Sequence, residues 1–224
     1  VVIALALMTG VQGELRDRIV GSTAHMYIYK LHERFVDMDA ERARVTLPGV
    51  AASAPAILGP ALIEAGGREF VMLKGIDPVL EARVTEISSA MQSGSIDALV
   101  GRDPEARDGI VLGADLADQL GVRLGDVVWV LSTAMTSTPT GLQPRRRPLE
   151  VVGTVRFGFY EVDTRFGFVS LETAQAMMAP DGPNMLQLRL TDVDDARRVR
   201  DQLQSELGIG YQVQDWIEIN GSLY

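Results

Sequence analysis

The amino-acid sequence predicts an α+β fold of two lobes, and three observations lead to this class. The 224 residues are 46% hydrophobic and 23% charged, which is typical of a globular chain with a sizeable core. Short β-branched or alternating runs, typical of strands, are interleaved with apolar patterns at helical spacing. No clean βαβ unit or internal repeat recurs along the chain. We therefore expect mixed strands and helices rather than a parallel, doubly wound sheet.

The ends of the chain resemble membrane boundaries. The chain starts at Val1 rather than at Met, so we expect a fragment or a processed product. Residues 1–13 carry no charge, yet a bilayer span takes about 20 apolar residues. This run fits the outer end of a first membrane helix or a buried core helix, and lacks the basic start of a signal peptide. We predict residues 1–21 as that helix end and its exit, and residues 217–224 as the lead-in to a second membrane helix.

The first ninety residues are predicted to form a strand, a helix, a hairpin and a longer helix. Gly66-Gly67 separates two extended segments and indicates the hairpin turn. Pro55 and Pro60 suggest that the first of these segments is an edge or broken strand, because proline cannot donate to a sheet ladder. Pro78 occupies a tolerated position in the first turn of a helix. In order, the predicted elements are strand 24–29, helix 37–45, extended segments 50–65 and 68–76, and helix 78–91.

The second half of the chain is predicted to continue the alternation. Gly121 can adopt the left-handed conformation that ends a helix. Residues 132–148 interrupt the pattern with three prolines and no apolar periodicity, so we expect neither a regular central strand nor a helix there. The predicted elements are strand 110–112, helix 114–120, strands 127–131, 149–157 and 164–170, helix 171–178, strand 185–190, helix 193–207 and strand 211–213.

Composition and motifs exclude most chemistry. The formal net charge of −9 argues against a nucleic-acid partner, and the absence of cysteine removes thiolate ligands, thiol nucleophiles and disulfides. No phosphate-binding glycine loop occurs, and His32-Glu33 lacks the second histidine of a zinc helix because Val36 stands there. His25 and His32 are expected to be exposed or edge-strand histidines. Asp192, Asp194 and Asp195 are better explained as a helix start than as a calcium loop. We predict no cofactor and no metal site.

Arg145-Arg146-Arg147 is the one concentrated basic run in this acidic chain. Three adjacent arginines are often no more than a solvated surface. However, they follow a loop whose prolines restrict the backbone, which lowers the entropic cost of presenting that loop to a partner. Arginine also binds carboxylates through two parallel hydrogen bonds. We predict a protein-recognition segment here.

Several motifs, taken in order, resemble the periplasmic region of the permease subunits of the lipoprotein-releasing ABC transporter, LolC and LolE. Glu-Leu-Arg-Asp-Arg-Ile-Val-Gly at 14–21 is similar to the exit of the family's first helix, although Thr9 and Val11 depart from the pattern just before it. Thr-Pro-Thr-Gly-Leu-Gln-Pro at 138–144 resembles the core of the LolC Hook, Thr-Pro-x-Gly-x-x-Pro. Residues 109–126 resemble a pattern shared with the wider MacB-like periplasmic domains. Further similarity lies at 152–154, 161–163, 171–175 and 216–224.

This resemblance implies a Porter-like lobe at 22–77 and 169–216, and a Sabre-like lobe at 78–168 that contains a Hook-like hairpin at 135–148. It implies a non-enzymatic domain whose ATPase is a separate cytoplasmic subunit, with a partner permease subunit and flanking membrane helices at the bacterial inner membrane. Lipoprotein cargo would pass to a LolA-type periplasmic carrier. The implied carrier-binding residues are Pro139, Thr140, Gly141, Leu142, Gln143, Pro144, Arg145, Arg146 and Arg147.

Alternatives remain open at this stage. The Hook-like motif favours a LolC-like over a LolE-like subunit, and a single permease serving both roles is equally compatible. A MacB-like efflux domain or an FtsX-like regulator of cell-wall hydrolases would share the fold but bind a different partner. A periplasmic enzyme has only His25 and His32 to support it.

Overall fold

The computed structural model describes residue 20 and residues 23–101, 103, 105–138 and 141–220. Of the two predicted membrane-helix ends, 1–21 lies outside the described residues apart from residue 20, and 217–224 lies outside them from residue 221 onward. None of the described helices is both long and apolar enough to cross a membrane. The strands are β1 Met26–Lys30, β2 Val50–Glu64, β3 Arg68–Ile76, β4 Met91–Gly94, β5 Gly109–Gly113, β6 Val127–Thr138, β7 Gly141–Val155, β8 Phe166–Ser170, β9 Met185–Leu190 and β10 Tyr211–Asp215. The helices are α1 Met38–Arg44, α2 Pro78–Val84, α3 Ala114–Leu120, α4 Tyr160–Arg165, α5 Leu171–Met178, α6 Ala196–Leu207 and α7 Trp216–Asn220.

Six strands close into a ring. Following the hydrogen-bonded neighbours, β2 pairs with β3, β3 with β8, β8 with β5, β5 with β7, β7 with β6, and β6 returns to β2. Closure leaves these strands few open edges and gives them a shared interior. The main core lies there, and side chains from α3 and α5 join it. Each strand contributes at least one fully buried residue, for example Ile63, Leu73, Leu112, Val130, Val151 and Val169.

The strand β2 also belongs to a second, antiparallel arrangement. Its first half, Val50–Ala56, pairs with β9, and β9 is followed by β1 and β10. The amphipathic helix α6 packs on this part through Val199 and Leu203, both fully buried in a second core. The sheet thus runs without interruption through residues assigned to both predicted lobes, and the lobe boundaries stay a prediction.

The prediction that prolines make residues 50–65 an edge or broken strand was wrong. The strand β2 is continuous over 15 residues and has neighbours on both sides. Pro55 precedes Ala56, the first residue paired with β3, and Pro60 lies between the end of the β9 pairing at Ala56 and the start of the β6 pairing at Ala61. Each proline therefore has a strand on one side only, so its missing N–H removes no ladder bond there.

Two further boundaries differ from expectation. The helix predicted over 78–91 ends at Val84, because residues 91–94 are taken up as β4 at the edge beside β7. The strand predicted from 164 begins at Phe166 and is preceded by the short helix α4. Asp163, a buried carboxylate, accepts the backbone N–H groups of Phe157 and Gly158 at 2.8 and 2.9 Å, and so fixes the turn that leads into α4. Except at residues 132–148, where β6 and β7 extend well beyond the predicted strands 127–131 and 149–157, the remaining predicted strands and helices are confirmed within a few residues.

A buried polar cluster joins α2 to the sheet. Lys74 on β3 lies 2.7 Å from Glu81 on α2, and the two side chains are only 9% and 1% exposed. Gln187 on β9 donates to the other oxygen of Glu81 at 2.8 Å, and Thr85 donates to the first at 3.2 Å. Charges this deep are stable only when paired and hydrogen-bonded. The cluster therefore fixes where α2 sits between β3 and β9.

Candidate docking hairpin

The recognition segment predicted at 132–148 forms a two-stranded ribbon. Neither a regular central strand nor a helix was expected here; β6 runs to Thr138 and β7 begins at Gly141, and the outer parts of these two strands pair only with each other. In the register, Met135 faces Pro144 and Trp129 faces Pro148. An antiparallel strand points every second N–H away from its partner, so prolines four residues apart can both occupy such positions without breaking the ladder. A register shift between Leu131 and Met135 marks where the ribbon leaves the ring.

The predicted contact residues occupy the outer part of this ribbon. Pro139 and Thr140 lie outside the described residues. Gly141 starts β7 with φ +114°, a backbone conformation that residues with a side chain rarely adopt. Leu142 pairs with Ser137 in the ladder. Among the described residues of the Hook-like segment, Gly141, Gln143 and Pro144 are exposed.

The three arginines contact the body of the domain. The Arg145 guanidinium donates to the carbonyl oxygen of Ala176 near the end of α5. Arg147 lies 2.7 Å from an oxygen of Asp108, which precedes β5. These contacts hold two alternate positions of β7, one against α5 and the other against the segment before β5. The sequence predicted a contact role for the run, and the structure adds an anchoring role at the ribbon's base.

Arg146 combines an ion pair with an aromatic contact. Its guanidinium lies 3.3 Å from an oxygen of Glu64 on β2 and 4.2 Å from the ring centre of Trp129 on β6. The Arg146 side chain remains 50% exposed. A guanidinium has five N–H donors, so one carboxylate contact does not exhaust its capacity to bind another. An open groove of about 850 Å³ lies beside this group and is lined by residues that include Arg68.

Sequence reasoning missed Glu64, Asp108 and Trp129. Each is far from the arginines along the chain, and only strand pairing brings them together. One signal was available in the hairpin register. Trp129 stands opposite Pro148, and Leu131, two residues further along β6, pairs with Arg146. That register becomes evident only once residues 132–148 are recognised as strands, which their prolines obscured.

The histidines do not form a site. His25 is buried at 4% exposure and is followed by an internal strand, so the expectation of an exposed or edge-strand histidine was wrong for it. Its Nδ1 accepts the backbone N–H of Leu190 at 3.1 Å. Burial, helped by the nearby Arg189 charge, lowers the pKa of His25 to about 4. His32 is exposed in the loop after β1. His25 is therefore neutral at pH 7 and has a structural hydrogen bond.

The aspartates before α6 start a helix, as predicted. An oxygen of Asp192 accepts the N–H of Asp194 at 2.9 Å at the head of a short 3₁₀ turn that leads into α6. Asp195 pairs with Arg198 at 2.6 Å one turn later. Throughout the described part of the chain, no group of three or more His, Asp or Glu side chains is arranged to hold a metal ion.

The chain resembles curated transport proteins along its whole length. It is 35% identical over 221 residues to the lipoprotein-releasing system transmembrane protein LolC of Xylella fastidiosa (strain Temecula1), covering 98% of this chain and 52% of that protein. Identity is 30% over 227 residues to LolC of Neisseria meningitidis serogroup B, covering 100% and 54%. LolE of Haemophilus influenzae is 24% identical over 231 residues, covering 100% and 54%. The chain thus spans about half the length of the curated relatives it matches.

Two solved structures have a similar fold. The extracellular domain of the noncanonic ABC-type transporter YknZ from Gram-positive bacteria aligns with a TM-score of 0.54 and 14% identity, over 85% of this chain and 99% of that one. The periplasmic region of MacB from Actinobacillus actinomycetemcomitans gives 0.54 and 12%, over 92% and 94%. At this identity the likeness concerns the fold alone. The model of the MacB-like periplasmic core domain matches residues 1–206. The chain therefore belongs to the family of MacB-like periplasmic core domains.

Proposed function

We propose that this chain is the periplasmic domain of an ABC transporter permease that releases outer-membrane-destined lipoproteins from the inner membrane and passes them to a LolA-type carrier. A separate cytoplasmic subunit hydrolyses ATP, a partner permease subunit completes the transporter, and membrane helices flank the domain on both sides. The domain itself makes and breaks no covalent bond. Its work is to recruit the carrier and to transmit movement of the membrane helices.

The observation that carries this proposal is the anchored ribbon β6–β7 at the position of the Hook-like motif. Its residues Met135, Gln143 and Pro144 are exposed, while Arg145, Arg146 and Arg147 hold its base to α5, β2 and the segment before β5. A docking element with a fixed direction loses less conformational entropy on binding than a free loop. The names of the curated relatives, LolC and LolE, support the same reading.

Movement would be transmitted through the two lobes. In this proposal the Porter-like lobe comprises 22–77 and 169–216, and the Sabre-like lobe comprises 78–168. The long strand β2 takes part in both the six-stranded ring and the β9–β1–β10 arrangement, so the two parts are joined by hydrogen-bonded backbone rather than by a loose linker. A displacement of the membrane helices would then move the ribbon as part of a rigid body.

The test shortens the ribbon without disturbing its base. Deleting Ser137, Thr138, Gly141 and Leu142 removes the two outermost cross-strand pairs and leaves Thr136 opposite Gln143, two positions inward, so the alternation of the ladder is kept. Binding of the LolA-type carrier to the full permease complex in nanodiscs is measured by biolayer interferometry. We expect this variant to lose carrier binding. Unchanged carrier binding would contradict the docking role.

A second variant tests the arginines. Arg146→Gln with Arg147→Gln is preferable to changes to glutamate, because glutamate would place like charges beside Glu64 and Asp108 and confuse misfolding with lost binding. We expect about a tenfold loss of carrier affinity, which corresponds to the loss of one charge-assisted contact. The matched control, Arg165→Gln with Arg198→Gln, also removes two exposed ion pairs and should bind normally. Capture of an efflux adaptor instead of the carrier would favour a MacB-like transporter.

A further inference from the structure

The outer strand edge of the ribbon is open on the β6 side. Strand β6 pairs with β2 from Trp129 to Ser132 and with β7 from Val127 to Thr138. Beyond Ser132, no other described strand lies beside β6. The open edge of a regular strand presents unpaired N–H and C=O groups that can pair with another strand, and many proteins block such edges with prolines, charges or a covering element.

The opposite edge of the ribbon is blocked by proline. A hairpin with a two-residue connection is flanked by a hydrogen-bonded pair, here Thr138 and Gly141. Hydrogen-bonded and non-hydrogen-bonded pairs alternate along an antiparallel ladder, so Met135 and Pro144, three pairs further in, form a non-hydrogen-bonded pair. The backbone groups of such a pair point outward. On β7, Pro144 stands at an outward position and has no N–H to offer, and Pro148, four residues on, repeats the block. Strand addition along this edge of β7 is thereby prevented.

The same alternation gives the β6 edge intact donors and acceptors. Met135 and Ser137 point their N–H and C=O groups away from β7, and no proline occurs between Val127 and Thr138. Met135 is 59% exposed, and Thr133 beside it is exposed too. The ribbon thus has one edge closed to strand addition and one edge equipped for it. An asymmetry of this kind is what a one-sided, directional strand pairing requires.

We propose that the outer edge of β6, residues 133–137, binds the carrier by strand addition, pairing main chain to main chain with an extended segment of the carrier. The inference rests on the proposed function and specifies how the hairpin makes its contact. Arg146 lies against Trp129 on β6, is 50% exposed and has more N–H donors than its one contact to Glu64 uses, so it favours a partner segment that carries an acidic side chain. The same charge disfavours pairing of two copies of this chain, since each copy would bring the same cation to the contact.

The variant Met135→Pro tests the edge directly. It removes one outward N–H and adds a ring on the side of the incoming strand, while Pro144, directly opposite, already shows that the ribbon tolerates proline at this type of position. The control Met135→Leu keeps the N–H and a side chain of similar size. In the full permease complex in nanodiscs, we expect Met135→Pro to weaken carrier binding at least about tenfold and Met135→Leu to stay within twofold. Equal affinities of the two variants would overturn the inference.

Hydrogen exchange measured by mass spectrometry provides a second readout on the unmodified complex. Addition of the carrier should slow exchange of the outward amides of Met135 and Ser137, because those N–H groups acquire acceptors. Carrier binding without such protection overturns strand addition and leaves the proposed function intact. Failure of the carrier to bind at all overturns the proposed function as well. Protection that depends on permease concentration without carrier would identify a second copy as the occupant and also overturn the inference.

Discussion

Replacement of Lys74 by methionine should reveal how strongly the buried polar cluster holds α2 to the sheet. Methionine keeps the length and most of the volume of lysine but removes the charge. Glu81 would then keep two donors, from Gln187 and Thr85, and lose its only direct cation among the described residues. Because Glu81 is 1% exposed, water cannot replace the ammonium group.

The expected loss is large for one substitution. Removing one partner of a buried ion pair leaves an uncompensated charge and costs about 3–5 kcal/mol in the free energy of unfolding. A protein of this kind has about 5–15 kcal/mol in total. The double variant Lys74→Met/Glu81→Leu should recover most of the loss, because it removes the stranded charge together with its partner.

The control is a surface ion pair of nearly the same length. Arg68 and Glu64 lie 2.9 Å apart, but the Arg68 side chain is 75% exposed, so Arg68→Met should cost no more than about 1 kcal/mol. Urea unfolding followed by the fluorescence of Trp129 and Trp216 gives all four free energies. A loss below about 1 kcal/mol for Lys74→Met, or a double variant no more stable than the single one, would refute this reasoning.

Two further predictions concern packing and pH. Gly75→Ala should lower the free energy of unfolding in urea by about 1–3 kcal/mol, because the added Cβ would overlap the Cβ of Ala174 and lie 3.4 Å from that of Ile57. In the control Gly210→Ala the added Cβ meets no atom within 4 Å, so this variant should be about as stable as the wild type. Burial lowers the pKa of His25 to about 4 in the folded state. Below about pH 6.5 the unfolded chain therefore binds a proton at this histidine that the folded chain does not bind. The free energy of unfolding should fall progressively from about pH 6.5 towards pH 4. The loss at pH 5 should be about 1–2 kcal/mol relative to pH 7, and His25→Asn should remove this part of the pH dependence of thermal unfolding; an unchanged slope would contradict it.

The local signals in the sequence predicted most elements well. Gly121 ends α3 with φ +67°, and Asp77 before Pro78 caps α2 by accepting the N–H groups of Val79 and Leu80. The apolar spacing of 193–207 predicted α6, which buries that face. These features depend on residues within one or two turns of each other, so they are visible in the linear order. The order of motifs likewise identified the family.

Local rules failed where a neighbouring strand decides the outcome. Pro55 and Pro60 argue against a central strand only if both sides of β2 are paired at those positions. Each has one open side, because the β3 pairing begins only after Pro55, and Pro60 lies between the β9 and β6 pairings. The prolines of 132–148 argue against strands only if the N–H groups they lack would have faced β7 or β6. The register between strands supplies this information, and it depends on residues far apart in sequence.

The candidate site divides in the same way. The sequence by itself determined that residues 138–147 are an unusual, proline-bounded, arginine-rich segment, because composition and spacing are properties of the linear chain. Only the tertiary structure decided that this segment is a ribbon with one blocked edge, and that its arginines reach Glu64, Asp108 and Ala176. Those contacts arise because closing a six-stranded ring brings together side chains up to about 80 positions apart, a distance over which no sequence periodicity extends.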